Sequence, residues 1–389
     1  MISRVRIVLG NSSLVCYPEA GGLWLYIAQY SLGLRALGHD VLWLEVYQKC
    51  GVPSRDQFLI DSFLNRIREH GLETQTVLLL SEKGANSFDI ETAEPCGKSR
   101  AELKDFISSA DLLWNFAGAL RRPLLSRFKR RVLLDGDPGH LQVSALQYEL
   151  GQSSHEVFLT AGCKIHDPDC EVPTLGLKWH SFPQFVYLPL WTVSPDPGPE
   201  APFTSVTQWN WEELWWNERA LSIAKREAYV RWVELPQRAG RPFQLAANIH
   251  PSDPAADRAL LLRHGWTVVD PHVVAGTPAA YQEYIRSSRA EICCPKPIYR
   301  ELRTGWFSDR SACYLAGGRP VLAEDTGFGD HFPTGRGLLV FKDLESAAAG
   351  VAEIDANYAT HSRAAREFAE AYLDSRRCLT TMLEACELR

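Results

Sequence analysis

The sequence lacks the features that would place the chain in a membrane, outside the cell or along a nucleic acid. No apolar run approaches the ~20 residues that a membrane-spanning helix needs. The first ten residues show no long apolar core and no small-residue cleavage site, so we expect a cytoplasmic protein without a membrane span. The net charge of -6 provides no overall basic field to hold a phosphate backbone.

Regular cysteine spacing is also absent. The ten cysteines are scattered, and a close set at Cys163, Cys170, Cys293 and Cys294 has no paired Cys-x-x-Cys spacing. A zinc site or a secreted disulfide framework would show a regular pattern. We therefore expect free cytosolic thiols and no metal site.

The remaining composition is that of a soluble globular protein, with 46% hydrophobic and 23% charged residues. A chain of 389 residues exceeds what one typical core supports, which predicts two domains. The proline-rich segment from Pro189 to Pro202 marks the boundary. We expect one domain over 1–195, a second over 196–365, and a C-terminal helix over 366–389 that crosses back to the first.

Both halves alternate strand and helix patterns. Arg4 to Leu9 predicts a buried strand, a helical pattern follows the Gly21-Gly22 pair, and His39 to Glu45 predicts a second strand. The alternation restarts at Phe203, so the fold class is α/β with two doubly wound parallel sheets. At Gly21 and Gly22 the backbone and the helix dipole suit an anionic ligand, although an ordinary helix start uses the same residues.

The segment from Gly305 to Gly327 predicts a loop, a helix over Arg310 to Ala316, a short strand and an Asp-Thr-Gly turn. If Ser308, Asp309 and Arg310 open that helix, free amides, a hydroxyl and a guanidinium face one point. Such a point suits a phosphate or diphosphate. The alternative is an ordinary capped helix with a glycine at its end.

These motifs resemble the GT-B glycosyltransferases, and in the second half the group-1 type of glycosyltransferase domain. The resemblance rests on Gly305-Trp306-Phe307, on Ala316 to Val321 and on Asp325-Thr326-Gly327, together with the Gly21-Gly22 loop and Leu34 to Val41. It implies two Rossmann-like domains facing across a cleft. It also implies metal-independent transfer of a sugar from a nucleotide sugar, with UDP-glucose as the best guess, and no cofactor beyond that co-substrate.

The sequence departs from the group-1 pattern at a pair of glutamates spaced about eight residues apart. Those positions fall on Thr304 or Gly305 and on Cys313, so neither a retaining nor an inverting outcome is assigned. In their place we expect a set of residues around the second helix start to hold the diphosphate and the donor sugar. The set comprises Lys296, Arg303, Ser308, Asp309, Arg310, Asp325, Thr326 and Gly327. For each cation taken singly, a solvated surface charge is the alternative.

Transfer also needs a base for the acceptor hydroxyl. Asp137 ranks first because it follows the strand over Arg131 to Asp135, with His140, His166 and Glu19 behind it; the alternative for Asp-Pro-Gly is a plain turn. The Asp135-Gly-Asp137 spelling also matches the metal-binding DxD of the other glycosyltransferase fold. The two-half architecture argues against a metal here.

The acceptor is left open among a small molecule, a saccharide, a protein side chain and a hydroxymethylated DNA base. A local basic run keeps DNA among the candidates despite the acidic balance: Arg121, Arg122, Arg127, Lys129, Arg130 and Arg131. Trp209, Trp211, Trp215 and Trp216 predict base or sugar stacking or, as the alternative, core packing. The competing functions are a non-catalytic nucleotide-sugar-binding module and a GT-B-shaped epimerase or phosphorylase.

Overall fold

The computed structural model describes residues 4–12, 14–249 and 255–387, and the outermost residues of the expected domain ranges lie outside the described part of the chain. The N-terminal half forms an eight-stranded sheet in the order β4-β3-β2-β1-β5-β6-β7-β8. All neighbours pair in parallel except β3 and β4. The strands are β1 (Arg6–Ser12), β2 (Asp40–Gln48), β3 (Thr76–Ser81), β4 (Glu94–Cys96), β5 (Leu112–Phe116), β6 (Arg131–Asp135), β7 (Val157–Thr160) and β8 (Trp179–Ser181).

The second half forms a six-stranded, wholly parallel sheet in the order β13-β12-β9-β14-β15-β16, and a separate antiparallel hairpin of β10 and β11. The strands are β9 (Phe203–Gln208), β10 (Glu213–Trp216), β11 (Arg219–Ser222), β12 (Phe243–Asn248), β13 (Trp266–Val269), β14 (Ala290–Cys293), β15 (Val321–Glu324) and β16 (Leu338–Phe341). In both sheets the first strand lies in the middle and the order reverses beside it, which is the Rossmann arrangement.

Fourteen helices in the described residues connect and cover these strands. They are α1 (Gly21–Ala36), α2 (Pro53–Glu69), α3 (Arg100–Ser109), α4 (His140–Gln147), α5 (Lys225–Val230), α6 (Leu235–Ala239), α7 (Ala255–Arg263), α8 (Pro271–Val274), α9 (Pro278–Ser287), α10 (Pro297–Glu301), α11 (Asp309–Ala316), α12 (Leu344–Ala356), α13 (Tyr358–Tyr372) and α14 (Ser375–Ala385). None of these described helices is both long and apolar enough to cross a membrane.

The last helix packs on the first domain although it follows the second in sequence. Leu379 and Met382 of α14 are buried in the same core as Trp24 and Leu34 of α1. Backbone hydrogen bonds from Val186 to Leu373 and from Ser375 to Val186 fix the crossing. The end of the chain therefore ties the two halves together.

Two segments differ from the sequence-based expectation. The sequence predicts that Leu214 to Glu234 contains a helix, and α5 lies there, but the β10–β11 hairpin precedes it, because Asn217 and Glu218 both take positive φ angles (48° and 60°) and form a two-residue turn. The helix expected over Pro123 to Arg130 is only a single 3-10 turn, Leu124–Arg127.

Candidate active site

Two adjoining cavities open at the carboxyl ends of the central strands, where doubly wound sheets bind ligands. The first, here called the interdomain cavity, measures about 490 Å³ and lies between Tyr17–Leu23 of the first domain and β9, α8, α9 and α11 of the second. The second, here called the N-terminal cavity, measures about 710 Å³ and lies beside the ends of β1, β5 and β6. Leu23 lines both, so the two cavities are neighbours.

Helix α1 begins at the interdomain cavity, and its glycines permit close approach of the two domains. The Gly21 amide donates to Ala275 O at 3.1 Å, and a Cβ on Gly21 would lie 2.2 Å from Thr277 O. A Cβ on Gly22 would lie 3.0 Å from the Tyr281 ring. In the described part of the chain, the amides of Gly22 and Leu23 donate to no acceptor. Gly21 thus makes a contact between the two domains, and the amides of Gly22 and Leu23 remain available to an anion.

Helix α11 begins at the same cavity from the opposite domain. Ser308 caps it by accepting from the Arg310 amide at 3.2 Å, so its hydroxyl has the ordinary capping role. The Arg310 guanidinium lies at the cavity wall, but Nε binds Glu291 Oε1 at 2.5 Å and Nη1 binds Val206 O at 2.8 Å. The Asp309 carboxylate also lines the cavity, where burial raises its pKa and Arg310 opposes that shift.

Asp137 lies at the edge of the N-terminal cavity and is bound from across the cleft. Its Oδ1 lies 3.2 Å from Lys296 Nζ and accepts a hydrogen bond from Tyr299 OH. His140 Nδ1, on the first residue of α4, lies 3.8 Å from Oδ2. Burial would raise the pKa of Asp137, but Lys296, His140 and Tyr299 hold it well below its usual range. Asp137 is therefore a stable anion between His140 and two groups of the other domain.

The two aspartates of the Asp135-Gly-Asp137 segment have different environments. Asp135 is buried and accepts from Thr160, Gln142 and the Asp137 amide, and burial raises its pKa to about 6. Asp135 thus orders the loop that presents Asp137. Over residues 4–12, 14–249 and 255–387, no group of three or more His, Cys, Asp or Glu side chains is placed to hold a metal ion.

Lys225, at the start of α5, is a buried cation that the sequence analysis did not identify. Its Nζ donates to Cys294 O at 2.6 Å and lies 5.1 Å from the centre of the Trp306 ring. The pKa of Lys225 is lowered to about 8, mainly by burial; Cys293 opposes this shift, and the charges of Arg310 and Lys296 contribute to it. No carboxylate of the described residues pairs with it. Its Ile-Ala-Lys-Arg-Glu surroundings are typical of a surface helix, so only its burial distinguishes it.

Trp306 connects Lys225 to the Asp137 cluster. The Trp306 ring lies 4.5 Å from that of Tyr299, centre to centre, and Tyr299 donates to Asp137. Lys225, Lys296 and Arg310 are thus three cations of the second domain grouped beside one cleft. The carboxylates that offset them are Asp137 and Glu291.

Several of the expected donor-binding residues lie outside both cavities, at a contact between loop 162–171 and the Gly305–Gly327 segment. Arg303 pairs with Asp169 at 2.6 Å, and the Asp325 carboxylate pairs with Lys342 at 3.2 Å. Thr326 donates to Trp306 O, and a Cβ on Gly327 would lie 2.4 Å from Cδ of Lys164. The end of the Gly305–Gly327 segment near Gly327 therefore packs against the first domain.

The four base candidates do not lie in one place. Glu19 lines the interdomain cavity and lies 3.5 Å from His272 of the other domain. His166 is exposed and its Nε2 contacts Trp179 O at 3.0 Å, outside the two cavities. Only Asp137 and His140, of the four candidates, line the N-terminal cavity.

Among the residues of the basic run and among the tryptophans, some line a cavity and others are paired or buried elsewhere. Arg127 pairs with Glu91 and Arg131 with Glu156, whereas Arg121 lines the N-terminal cavity. Trp209 is buried and donates to Asp257. Trp211 lines the interdomain cavity and remains 54% exposed, which leaves its ring free to stack on a planar ligand.

Two Rossmann-like domains that close on one cleft, with the last helix returning to the first domain, have the GT-B fold that the sequence motifs resemble. Solved structures with this fold are similar over nearly the whole chain. An alpha-glucosyltransferase in complex with UDP-glucose and DNA containing an abasic site is 12% identical, with a TM-score of 0.60 over 99% of this chain and 100% of that one.

Two further structures are also similar in fold. A glycosyltransferase from Rickettsia africae ESF-5 is 11% identical, with a TM-score of 0.57 over 99% of this chain and 98% of that one. The sucrose-phosphate synthase from Thermosynechococcus elongatus is 14% identical, with a TM-score of 0.53 over 97% and 98%. No family model matches the chain, and no curated relative is similar to it in sequence.

Proposed function

We propose that the protein is a glycosyltransferase. It transfers a sugar, which we propose to be glucose, from a uridine diphosphate sugar to an acceptor hydroxyl. One observation carries the proposal: Lys225 is a buried cation near Arg310 and Lys296, and it is bound only by a carbonyl and a ring face. Burying an unpaired cation is unfavourable, so the site is incomplete without an anion. The UDP-bound fold neighbours support a nucleoside diphosphate as that anion.

The donor fits the interdomain cavity. The free amides at the start of α1 and the first turn of α11 both suit its diphosphate. Arg310 lies in the cavity wall, and Lys225 and Lys296 lie behind it, within electrostatic range of each other. Asp309 carries the same charge sign as a phosphate, so we place it against hydroxyls of the ribose or the sugar. The exposed Trp211 ring stacks on the nucleobase.

The acceptor fits the N-terminal cavity, where His140 accepts its proton. Asp137 is held as an anion by Lys296 and Tyr299, which makes it a weak base and a good partner for a protonated imidazole. The leaving diphosphate is stabilised by the cations, so neither a metal nor a further cofactor is part of the proposal. Chelator should therefore leave the activity unchanged.

Calorimetry with UDP and hydrolysis of UDP-glucose test the function. The expected result is UDP binding with slow hydrolysis, and a loss of affinity of at least tenfold in Lys225→Met. Lys178→Met, which removes an exposed lysine far from the cavities, is the matched control and should bind as the wild type does.

Each outcome separates the alternatives. A wild type that neither binds UDP nor turns over UDP-glucose contradicts the proposal. Binding with no hydrolysis and no transfer to any acceptor indicates the non-catalytic module. Conversion of UDP-glucose to another UDP-sugar indicates an epimerase.

A further inference from the structure

The walls of the N-terminal cavity are mainly apolar and aromatic. Tyr26 and Phe116 stand edge to face with ring centres 6.4 Å apart, and Phe88 faces the same space. Aliphatic side chains complete the lining: Leu23, Ile27, Leu134, Leu141 and Leu150. At about 710 Å³ the cavity exceeds what one sugar ring fills and suits a larger flat molecule.

Several polar side chains at this cavity already have partners. Asn11 donates to Glu45 Oε2 at 3.1 Å. Asp135 is bonded by Thr160, Gln142 and a backbone amide. Of the lining side chains that the structure describes, Ser12, Ser144, His140 and the rim residue Arg121 remain to meet a ligand. An acceptor with many hydroxyls would leave several of them without hydrogen bonds, at a cost of about 1–3 kcal/mol each.

Exposed apolar side chains also lie outside the cavity. Tyr148, just after α4, is 63% exposed. The hairpin of the second domain brings Trp215, 65% exposed, near it, since Gln147 donates to Trp215 O at 2.5 Å. Leu150, two residues beyond Tyr148, lines the cavity. An exposed apolar surface with side chains from both domains therefore lies close to Leu150 in sequence.

We propose that the acceptor is a small aromatic alcohol or phenol, with its ring against Tyr26, Phe88 and Phe116. The inference rests on the proposed function. In the reaction, the acceptor oxygen bonds to the anomeric carbon while the bond from that carbon to the diphosphate oxygen breaks. Its electron pair leaves with UDP, and the acceptor proton passes to His140.

The charge distribution argues against a DNA acceptor. A duplex needs several free cations along its backbone, and pairing with Glu91 and Glu156 removes two of the six in the basic run. Among the described residues that line the N-terminal cavity, Arg121 is the one lysine or arginine.

The test measures binding and transfer separately with 4-methylumbelliferone as the probe. Its O-methyl ether has no free hydroxyl that could accept a sugar. Calorimetric binding of the ether therefore reports the acceptor site whether or not the protein is an enzyme. Comparison acceptors are methyl glucoside and a DNA duplex containing 5-hydroxymethylcytosine, each with UDP-glucose. We expect the ether to bind, the phenol to be glucosylated, and both comparison acceptors to react at least 100-fold more slowly.

Two variants locate the site. Phe88→Ala and, on another wall, Leu150→Ala should each weaken binding of the ether about tenfold, the effect of losing one buried apolar side chain. Phe58→Ala removes a 57% exposed ring on α2, outside both cavities, and should change nothing. Retained UDP binding shows that each variant is folded. Transfer to methyl glucoside or to DNA, with no binding of the ether, overturns the inference while leaving the glycosyltransferase proposal intact.

Discussion

Lys296 Nζ lies 3.2 Å from Asp137 Oδ1, and the two residues belong to opposite domains. The pair joins the two domains, with Tyr299 on the same carboxylate oxygen. A diphosphate in the interdomain cavity would compete with Asp137 for Lys296. The pair thus links the occupancy of the donor site to the charge environment of His140.

Lys296→Met should raise the KM for UDP-glucose about tenfold or more, because a charge-assisted contact to the diphosphate is worth about 1.5–3 kcal/mol. Steady-state kinetics measures this. In a double-mutant cycle with Asp137→Asn, the two changes should be non-additive in unfolding free energy, since they remove the same contact. Additive effects would show that the pair contributes nothing beyond its separate members.

Lys225 predicts the pH dependence of donor binding. Its pKa of about 8 in the free protein lies below the ordinary value of 10.5, and a bound diphosphate would raise it. UDP affinity should therefore be constant below about pH 8 and fall as pH rises above it. The ligand-free protein should show the reverse trend in stability, gaining between about pH 8 and pH 10.5, because the buried charge is lost in that window.

Calorimetry and urea unfolding from pH 7 to pH 10 check both trends, with Lys225→Met as the reference. In the variant, the affinity for UDP should not show the fall at alkaline pH that Lys225 causes in the wild type. A wild type whose affinity for UDP is flat to pH 10 would contradict the role of Lys225.

Gly21→Ala should open the cleft, because its Cβ would lie 2.2 Å from Thr277 O, a backbone atom that has little room to shift. We expect a larger radius of gyration in solution scattering and a loss of about 100-fold in kcat/KM, since misplacing reacting groups by about 1 Å has such an effect. Gly22→Ala meets only the Tyr281 ring at 3.0 Å and should be milder.

The matched control is Gly329→Ala. A Cβ there would meet the Thr334 methyl at 3.8 Å, an ordinary contact, so the scattering curve and the activity should not change. If Gly21→Ala behaves like this control, the contact between α1 and the 275–277 segment does not set the closed arrangement.

Local patterns predicted the elements that position the site. The strand Arg6–Ser12, the helix after Gly21 and the helix start at Ser308 each follow from short-range apolar periodicity, capping and glycine placement. The fold class follows from the same alternation and from the motif resemblance, and the solved structures confirm it.

The partners of the site residues were beyond such patterns, because they depend on contacts between distant segments. Arg303 was expected at the diphosphate, but loop 162–171 places Asp169 against it. Arg310 was expected to present a free guanidinium, but Glu291, on a strand 19 residues earlier, holds its Nε. Lys225 is buried only because the second domain folds around it.

A second contact between the domains is centred on Lys164. Its side chain is 3% exposed, with Nζ 2.6 Å from Asp330, 3.0 Å from Asp169 and 3.4 Å from Asp167. These carboxylates keep its pKa above the usual value for lysine, against the opposing effect of burial. A raised pKa means that the stabilisation is complete below about pH 10.4 and is lost as the pH rises through the folded-state pKa.

Lys164→Met should therefore lower the unfolding free energy by about 2–4 kcal/mol at pH 7, the cost of leaving carboxylates without their buried partner. Urea unfolding measures it, and added salt should restore part of the loss because the remaining carboxylates repel one another in solvent. Arg303→Met removes a 47% exposed cation from Asp169 and should cost less than about 1 kcal/mol. Equal losses in the two variants would mean that burial of the Lys164 stem against Gly305 and Gly327 adds nothing to the contact between the domains.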